Sequence, residues 1–140
     1  MIMRKVKTIY VPMGADILHS GHLNIIKTAK KYGEVIVGLF TDAAIGEYKR
    51  LPLINYKQRL EIMKNIKGVD RIVKQDTWDY SKNLKKIKPD FLIHGDDWKV
   101  GIQKQTRLNV LKLLGKWGGK LIEVPYTKEN KIKISKNNIS

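Results

Sequence analysis

Two histidines, three positions apart, enclose a serine and a glycine in His19-Ser20-Gly21-His22. An imidazole can donate a hydrogen bond to an anionic oxygen. Gly21 has no side chain that would keep a ligand away from the backbone. If this segment begins a helix, the unpaired N–H groups and the partial positive charge of the helix end add to the attraction for an anion. These residues therefore favour the binding of a phosphate group.

Three other roles for the two histidines stay open. Two histidines at this spacing can share a metal ion, and Asp16 is a carboxylate nearby in the chain. One histidine could act as a general base, or both could be structural and bond to backbone groups. Their position around a glycine at a predicted helix start favours the phosphate.

The histidine segment lies between a predicted strand and a predicted helix. Residues 8–11 are an apolar run typical of a buried strand, and Leu23, Ile26 and Ala29 then recur at helical spacing before Gly33. Further predicted strands are residues 34–40, 71–73, 91–93 and 121–124. Further predicted helices begin with Asn55 as N-cap and at Tyr80, and a last one contains Val110. The predicted order is βαβαβαβαβ.

This alternation predicts an α/β fold: a single-domain, Rossmann-like, doubly wound five-stranded parallel sheet with helices on both faces. Ligands of such sheets bind beyond the C-terminal ends of the strands, where the strand order reverses. We therefore expect the site in the loops after the first and fourth strands. The domain is expected to span residues 1–127, and residues 128–140 are expected to be a partly ordered or frayed tail.

Composition narrows the classes of protein. The 140 residues fit one domain, and the absence of cysteine excludes disulfides, cysteine-bound metals and thiol nucleophiles. No signal peptide or membrane span is predicted, so we expect a cytoplasmic protein without membrane partners. The net charge of +15 attracts polyanions of any kind. Because the lysines are scattered along the chain and form no stripe, nucleic acid is not the expected partner.

Several further motifs occur in an order that a known family shares. They are Gly14-Ala15-Asp16, Thr41-Asp42, Tyr56-Lys57-Gln58-Arg59, residues 68–73 and Gly95-Asp96-Asp97-Trp98. With them, the chain resembles the nucleotidyltransferases marked by His-x-Gly-His, and among these the cytidylyltransferases, over residues 7–127. The resemblance implies an enzyme that transfers CMP from CTP to a small phosphate or phosphonate acceptor and releases pyrophosphate. It also implies Mg²⁺ or another divalent cation.

The resemblance and the residue chemistry together assign candidate site residues. The catalytic candidates are His19, His22, Lys49 and Arg50. The nucleotide-binding candidates are Met13, Gly14, Ala15, Asp16, Ser20, Gly21, Arg59, Gly95, Asp96, Asp97, Trp98 and Thr127. Asp16 is also the candidate for contact with Mg²⁺, through water or phosphate. Trp78, Asp79 and Tyr80 are candidates for the acceptor pocket, because aromatic faces and a carboxylate suit a cationic amine.

Structural alternatives to these roles remain open for three groups. Lys49 and Arg50 could belong to a solvated basic loop. The segment from Gly95 could be an acidic helix start with Trp98 in the core. Trp78 and Tyr80 could likewise have an ordinary packing role.

Within this family, the chain most resembles the cytidylyltransferases that activate 2-aminoethylphosphonate. The segments that carry this resemblance are residues 48–52, 65–69, 94–98 and 117–127. The alternative acceptor is glycerol 3-phosphate or another phospho-alcohol, and a homodimer is expected because relatives are often dimers. Residues 126–136 depart from the Gly-Ile-Ser-Thr-like run with which relatives bind the triphosphate. A catalytically weak module that binds nucleotide or RNA is therefore the alternative from another functional class.

Overall fold

The computed structural model describes residues 6–48, 50–99 and 103–125. The strands are β1 (Thr8–Met13), β2 (Glu34–Phe40), β3 (Arg71–Gln75), β4 (Phe91–Gly95) and β5 (Lys120–Val124). The helices are α1 (Ser20–Lys30), α2 (Asp42–Tyr48), α3 (Tyr56–Lys64), α4 (Ser81–Ile87) and α5 (Lys104–Gly115), with a short 3₁₀ helix at Asp96–Lys99. None of the helices in these ranges is long and apolar enough to cross a membrane. The predicted tail at residues 128–140 lies outside the described residues.

The five strands form one parallel sheet in the order β3-β2-β1-β4-β5. The chain moves outward from β1 to β3 and then returns to the other side of β1, so the strand order reverses between β1 and β4. This confirms the predicted Rossmann-like, doubly wound sheet. The β1–β4 pairing is short, with Ile9 opposite Phe91 and Tyr10 opposite Leu92. Beyond these pairs a crevice opens toward the C-terminal ends of the two strands.

Apolar residues of the sheet alternate between its two faces, as the pleat of a strand requires. Tyr10 of β1 packs into a cluster with Trp98 and α5, whereas Ile9 and Val11 pack on the other face with Ile26 of α1. Both clusters consist of buried side chains. Burial on both faces explains why the strands read as continuous apolar runs.

Helix α2 was absent from the predicted element order. Its sequence, Asp-Ala-Ala-Ile-Gly-Glu-Tyr, is short and contains Gly46, which weakens a helix interior. Tertiary contacts compensate, because Ala44 and Ile45 are buried and Trp78 donates its Nε1–H to the Ala44 carbonyl at 2.5 Å. Helix α2 therefore depends on contacts with the loop after β3, which the local sequence does not reveal.

Tyr10 passes across the neighbouring strand at Gly38. A Cβ at Gly38 would lie 2.0 Å from the Tyr10 hydroxyl, so only glycine leaves room for the ring. The hydroxyl bonds to Gln75 of β3 and accepts from Asn83 Nδ2 at 3.0 Å. Burial raises the pKa of Tyr10 far above its usual value. A polar contact thus ties β1 to β3 across the strand between them.

Candidate active site

A cavity opens at the C-terminal edge of the sheet, where the strand order reverses. Its walls come from the ends of β1, β2, β4 and β5, the first turn of α1 and the loop after β3. The predicted site residues that line it are Met13, Gly14, His19, Gly21, His22, Trp78, Tyr80 and Gly95. The structure therefore brings together the two loops that the sequence analysis selected.

The two histidines close the N-terminus of α1 in a reciprocal hydrogen-bonded cap. His19 is the N-cap residue in an extended conformation, and its Nδ1 accepts from the Gly21 N–H at 3.0 Å. The His19 N–H in turn donates to His22 Nδ1 at 3.1 Å. This arrangement corresponds to a capping box built from imidazoles, in place of the usual hydroxyl and carboxylate. The histidines thus have a structural role.

The cap also fixes the tautomers of both rings. An Nδ1 that accepts a hydrogen bond carries no proton, so in each neutral ring the proton is on Nε2. Burial lowers the pKa of His19, which favours this neutral form. The ring centroids are 4.1 Å apart, and both rings line the cavity. The pair therefore supplies two N–H donors and is poorly suited to act as a base.

Asp16 anchors a second loop below the cavity. Ala15 has a φ of 51°, a left-handed conformation that turns the chain sharply out of β1. The Asp16 carboxylate accepts from the backbone N–H groups of Leu53 and Ile54 at 3.2 and 3.0 Å, and from Arg50 Nη2 at 3.3 Å. Arg50 is thereby fixed beside the β1 loop, whereas Lys49 lies outside the described residues.

These contacts bear on the candidate Mg²⁺ site. Asp16 is 4% exposed and already accepts three hydrogen bonds. Within residues 6–48, 50–99 and 103–125, no three histidine, cysteine or carboxylate side chains form a group that could hold a metal. The described residues thus provide no protein cage for Mg²⁺, and any such ion would depend chiefly on phosphate oxygens.

Arg59 lies beneath the site and not in it. Its side chain is fully buried and donates to the carbonyls of Ile54, Gly14 and Phe40 at 2.8, 2.8 and 2.6 Å. It also pairs with Asp42 at 2.7 Å. A direct contact with nucleotide would require at least one of these bonds to break. The structure therefore assigns Arg59 the task of holding together the segments that surround the cavity.

The three acceptor-pocket candidates separate in the structure. Trp78 and Tyr80 are 5% and 1% exposed, and they form both core and cavity wall. Asp79 does not line this cavity but borders a second one beside α5. Its Oδ1 accepts from the N–H and hydroxyl of Ser81, and these bonds lower the pKa of Asp79. The Asp79 carboxylate therefore makes local contacts with Ser81, the first residue of α4.

The segment after β4 turns directly into the 3₁₀ helix. Asp96 begins this helix, and Trp98 is 1% exposed in the core. The side chain of Asp97 and the whole of Thr127 lie outside the described residues. His94, the residue before Gly95, lines the cavity and stacks on Trp98.

A family model described as Cytidylyltransferase-like matches residues 15–137 of the chain, which include the histidine cap and the segments after β2 and β4. The chain belongs to this family.

The chain is similar in sequence to FAD synthases and to an ethanolamine-phosphate cytidylyltransferase. It is 38% identical over 82 residues to the FAD synthase of Methanohalophilus mahii, covering 59% of this chain and 58% of that one. It is 28% identical over 111 residues to the ethanolamine-phosphate cytidylyltransferase of Dictyostelium discoideum, covering 78% and 31%. The chain thus spans well under two thirds of the length of either relative.

Among solved structures, the cytidylyltransferase-like protein is similar to the lipopolysaccharide core biosynthesis protein of Thermoplasma volcanium. The TM-score is 0.71 at 26% identity, and the match covers 89% of this chain and 98% of that one. The described fold is therefore shared across nearly the whole of that relative.

Other cavity residues of the cytidylyltransferase-like protein were not among the candidates. They are Pro12, Ile25, Phe40, Ile45, Ile93, His94, Gln103, Val124 and Pro125. Most are apolar residues that strand ends and helices bring together, and such positions resemble core in a sequence. His94 could have been found, because it immediately precedes Gly95 at the end of a predicted strand. The candidates Ala15, Asp16 and Ser20 do not line the cavity.

Proposed function

We propose that this protein transfers a nucleotidyl group from a nucleoside triphosphate to a small phosphate or phosphonate acceptor, with release of pyrophosphate. The observation that carries the proposal is the pair of Nε2–H donors at the N-terminus of α1, beside the cavity. Two neighbouring imidazole donors and a helix N-terminus are suited to bind a phosphate that gains negative charge during reaction.

The proposed reaction needs no covalent nucleophile from the protein. An acceptor oxygen attacks the α-phosphorus in line with the departing pyrophosphate; one P–O bond forms as the other breaks. The acceptor oxygen is largely anionic near neutral pH, because the second pKa of a phosphate monoester is about 6. Charge on the α-phosphate is the main obstacle, and the neutral imidazoles donate to it without needing to take up a proton.

The proposed substrates are CTP and 2-aminoethylphosphonate. The motifs shared with phosphonate cytidylyltransferases and the similarity to an ethanolamine-phosphate cytidylyltransferase support this pair. Glycerol 3-phosphate is the alternative acceptor within the same class. Mg²⁺ would accompany the triphosphate, and no step is assigned to a protein-bound metal.

The FAD synthase relative favours a second candidate function. At 38% identity it is more similar in sequence than the ethanolamine-phosphate enzyme at 28%, although over a shorter stretch. FAD contains an adenylyl group joined to a flavin phosphate, so the same chemistry with ATP and FMN would follow. The histidine cap suits both reactions because it contacts phosphate and no base.

A substrate matrix tests these assignments. CTP or ATP, with Mg²⁺, is combined with 2-aminoethylphosphonate, phosphoethanolamine, glycerol 3-phosphate or FMN, and pyrophosphate is measured. We expect the highest kcat/KM for CTP with 2-aminoethylphosphonate. Turnover of ATP with FMN alone would select the second candidate. No turnover in any combination, with salt-sensitive RNA binding, would instead support a binding module.

The histidines provide the mechanistic test. We expect His19→Ala and His22→Ala to lower kcat about a hundredfold or more while changing nucleotide affinity much less, because each removes a donor to the reacting phosphate. His19→Ser is the matched control, since serine keeps a capping acceptor on a side chain too short to replace the imidazole donor. If His19→Ser turned over at the wild-type rate, the ring would serve the cap alone.

A further inference from the structure

His94 presents its imidazole to the cavity in a fixed orientation. The ring stacks on Trp98, with centroids 3.6 Å apart and planes inclined by 3°. Its Nδ1 lies 2.8 Å from the Gly95 carbonyl oxygen. Because a carbonyl only accepts, this nitrogen carries the proton and the neutral ring has its lone pair on Nε2. His94 thus has the opposite tautomer to the histidines of the cap.

Glu123 fixes Trp98 from the neighbouring strand. Trp98 is almost completely buried, and its Nε1–H donates to Glu123 Oε2 at 2.8 Å. Glu123 of β5 is the register partner of His94 on β4, so the two residues leave the sheet side by side. The indole therefore lies between a ring that faces the cavity and a carboxylate that anchors it.

Arg107 of α5 holds this carboxylate. Its Nε donates to Glu123 Oε2 at 3.0 Å and its Nη2 to Oε1 at 2.9 Å. The hydrogen bonds that Arg107 donates to Glu123 raise the pKa of Arg107. The side chains are 24% and 16% exposed, so the pair is partly shielded from water. A fork of this kind determines the direction of the carboxylate as well as its position.

We infer that Glu123 is a positioning residue, which sets the orientation of the His94 imidazole in the cavity through Trp98. Without the carboxylate, the indole loses the acceptor that fixes its plane, and His94 loses the surface on which it stacks. The ring so placed forms part of the cavity wall that a bound ligand would contact. Small errors in such placement reduce turnover strongly.

The first test observes His94 in the protein without substrate. The chain contains three histidines, so the ring signals of His94 can be assigned by NMR with variants of the other two. We expect the stacked ring to resonate upfield in the wild type and to move toward the unstacked position in Glu123→Leu, because leucine offers the indole no acceptor. Glu61→Leu, on the exposed face of α3, is the matched control and should leave these signals unchanged.

The second test measures kinetics and rests on the proposed nucleotidyl transfer. We expect Glu123→Leu to lower kcat/KM about ten- to hundredfold. Trp98→Phe keeps a stacking surface but removes the N–H donor, so the double variant should add little to either single change. Arg107→Gln should give a smaller effect of the same kind, and it replaces Glu123→Leu if that variant fails to fold.

The outcomes separate the two proposals. Unchanged His94 signals in a folded Glu123→Leu protein would overturn the positioning role, whatever the kinetics. Altered signals with unchanged kcat/KM would remove its catalytic relevance, and fully additive effects of the two single changes would break the link through Trp98. If the wild type turned over no substrate, the proposed function would fail while the NMR result still decided whether Glu123 orients His94.

Discussion

Replacing Arg59 by lysine tests whether the loops around the cavity depend on one buried guanidinium. Arg59 donates to three carbonyls and one carboxylate, which come from four separate segments. Two of the carbonyl residues, Gly14 and Phe40, line the cavity. Lysine keeps the charge but places all its donors on one nitrogen, so it cannot reproduce the fork.

The expected cost follows from the acceptors that lose a donor. A lysine ammonium that retains Asp42 and one carbonyl leaves the other two carbonyls without their partner. A buried acceptor left unsatisfied costs about 1–3 kcal/mol. For two such acceptors, we therefore expect the free energy of unfolding to fall by about 2–6 kcal/mol, a large share of a typical total of about 5–15 kcal/mol.

Urea denaturation followed by circular dichroism measures this change. With a urea slope of about 2 kcal/mol per molar for a small protein, the midpoint should fall by about 1–3 M. Arg71→Lys is the matched control; its side chain is 57% exposed, and its unfolding free energy should change by no more than about 0.5 kcal/mol. An unchanged midpoint for Arg59→Lys with weaker nucleotide binding would refute the structural role and restore the direct nucleotide contact.

Three further predictions concern packing, pH and metal. Gly38→Ala places a methyl group on the Tyr10 hydroxyl and should destabilise the protein by about 1–3 kcal/mol in thermal unfolding. At Gly115 an added methyl group meets open space, so Gly115→Ala should not destabilise the protein. Equal effects of the two substitutions would contradict the packing argument. Because the pKa of His19 is lowered from 6.5, the unfolded chain binds more protons than the folded chain at mildly acidic pH. The urea concentration at the midpoint should therefore decrease as the pH is lowered from about 7 to about 5, and it should decrease less in His19→Asn. The same pH dependence in both proteins would show that another group is responsible. Asp16→Asn should lower kcat/KM about tenfold by weakening the contacts that hold its loop, while the Mg²⁺ concentration for half-maximal rate stays constant. An increase in that Mg²⁺ concentration would instead make Asp16 a metal ligand.

The fold was predictable because its signals are local. Apolar runs bounded by glycine or proline gave five strands, and the structure confirms Asn55 as an N-cap that accepts from the Gln58 N–H at 3.0 Å. The sequence placed the two histidines at a helix start, but it did not show which nitrogen of each ring carries the proton. That step required knowing which ring nitrogen faces the backbone, and the residue types alone do not specify this.

What the sequence did not predict depends on contacts between distant segments. Arg59 looks like any surface arginine on a basic helix, yet it reaches carbonyls 45 and 19 positions away along the chain. Glu123 reads as a polar residue on a strand, and only the fold shows its contacts with Trp98 and Arg107. A motif marked Arg59, but the residue types could not show that its partners are backbone carbonyls of distant segments.

Because the pairing between β1 and β4 is short, we expect β1–β3 and β4–β5 to open as two separate cooperative units. β1 is registered with β2 along its full length but with β4 only at Ile9 and Tyr10, so local opening should begin along this seam. The cavity lies at the open end of the same seam. A ligand that contacts both β1 and β4 should therefore slow hydrogen exchange in these strands, even at amides that it does not touch. A substitution that weakens the β1–β4 pairing should in turn weaken ligand binding.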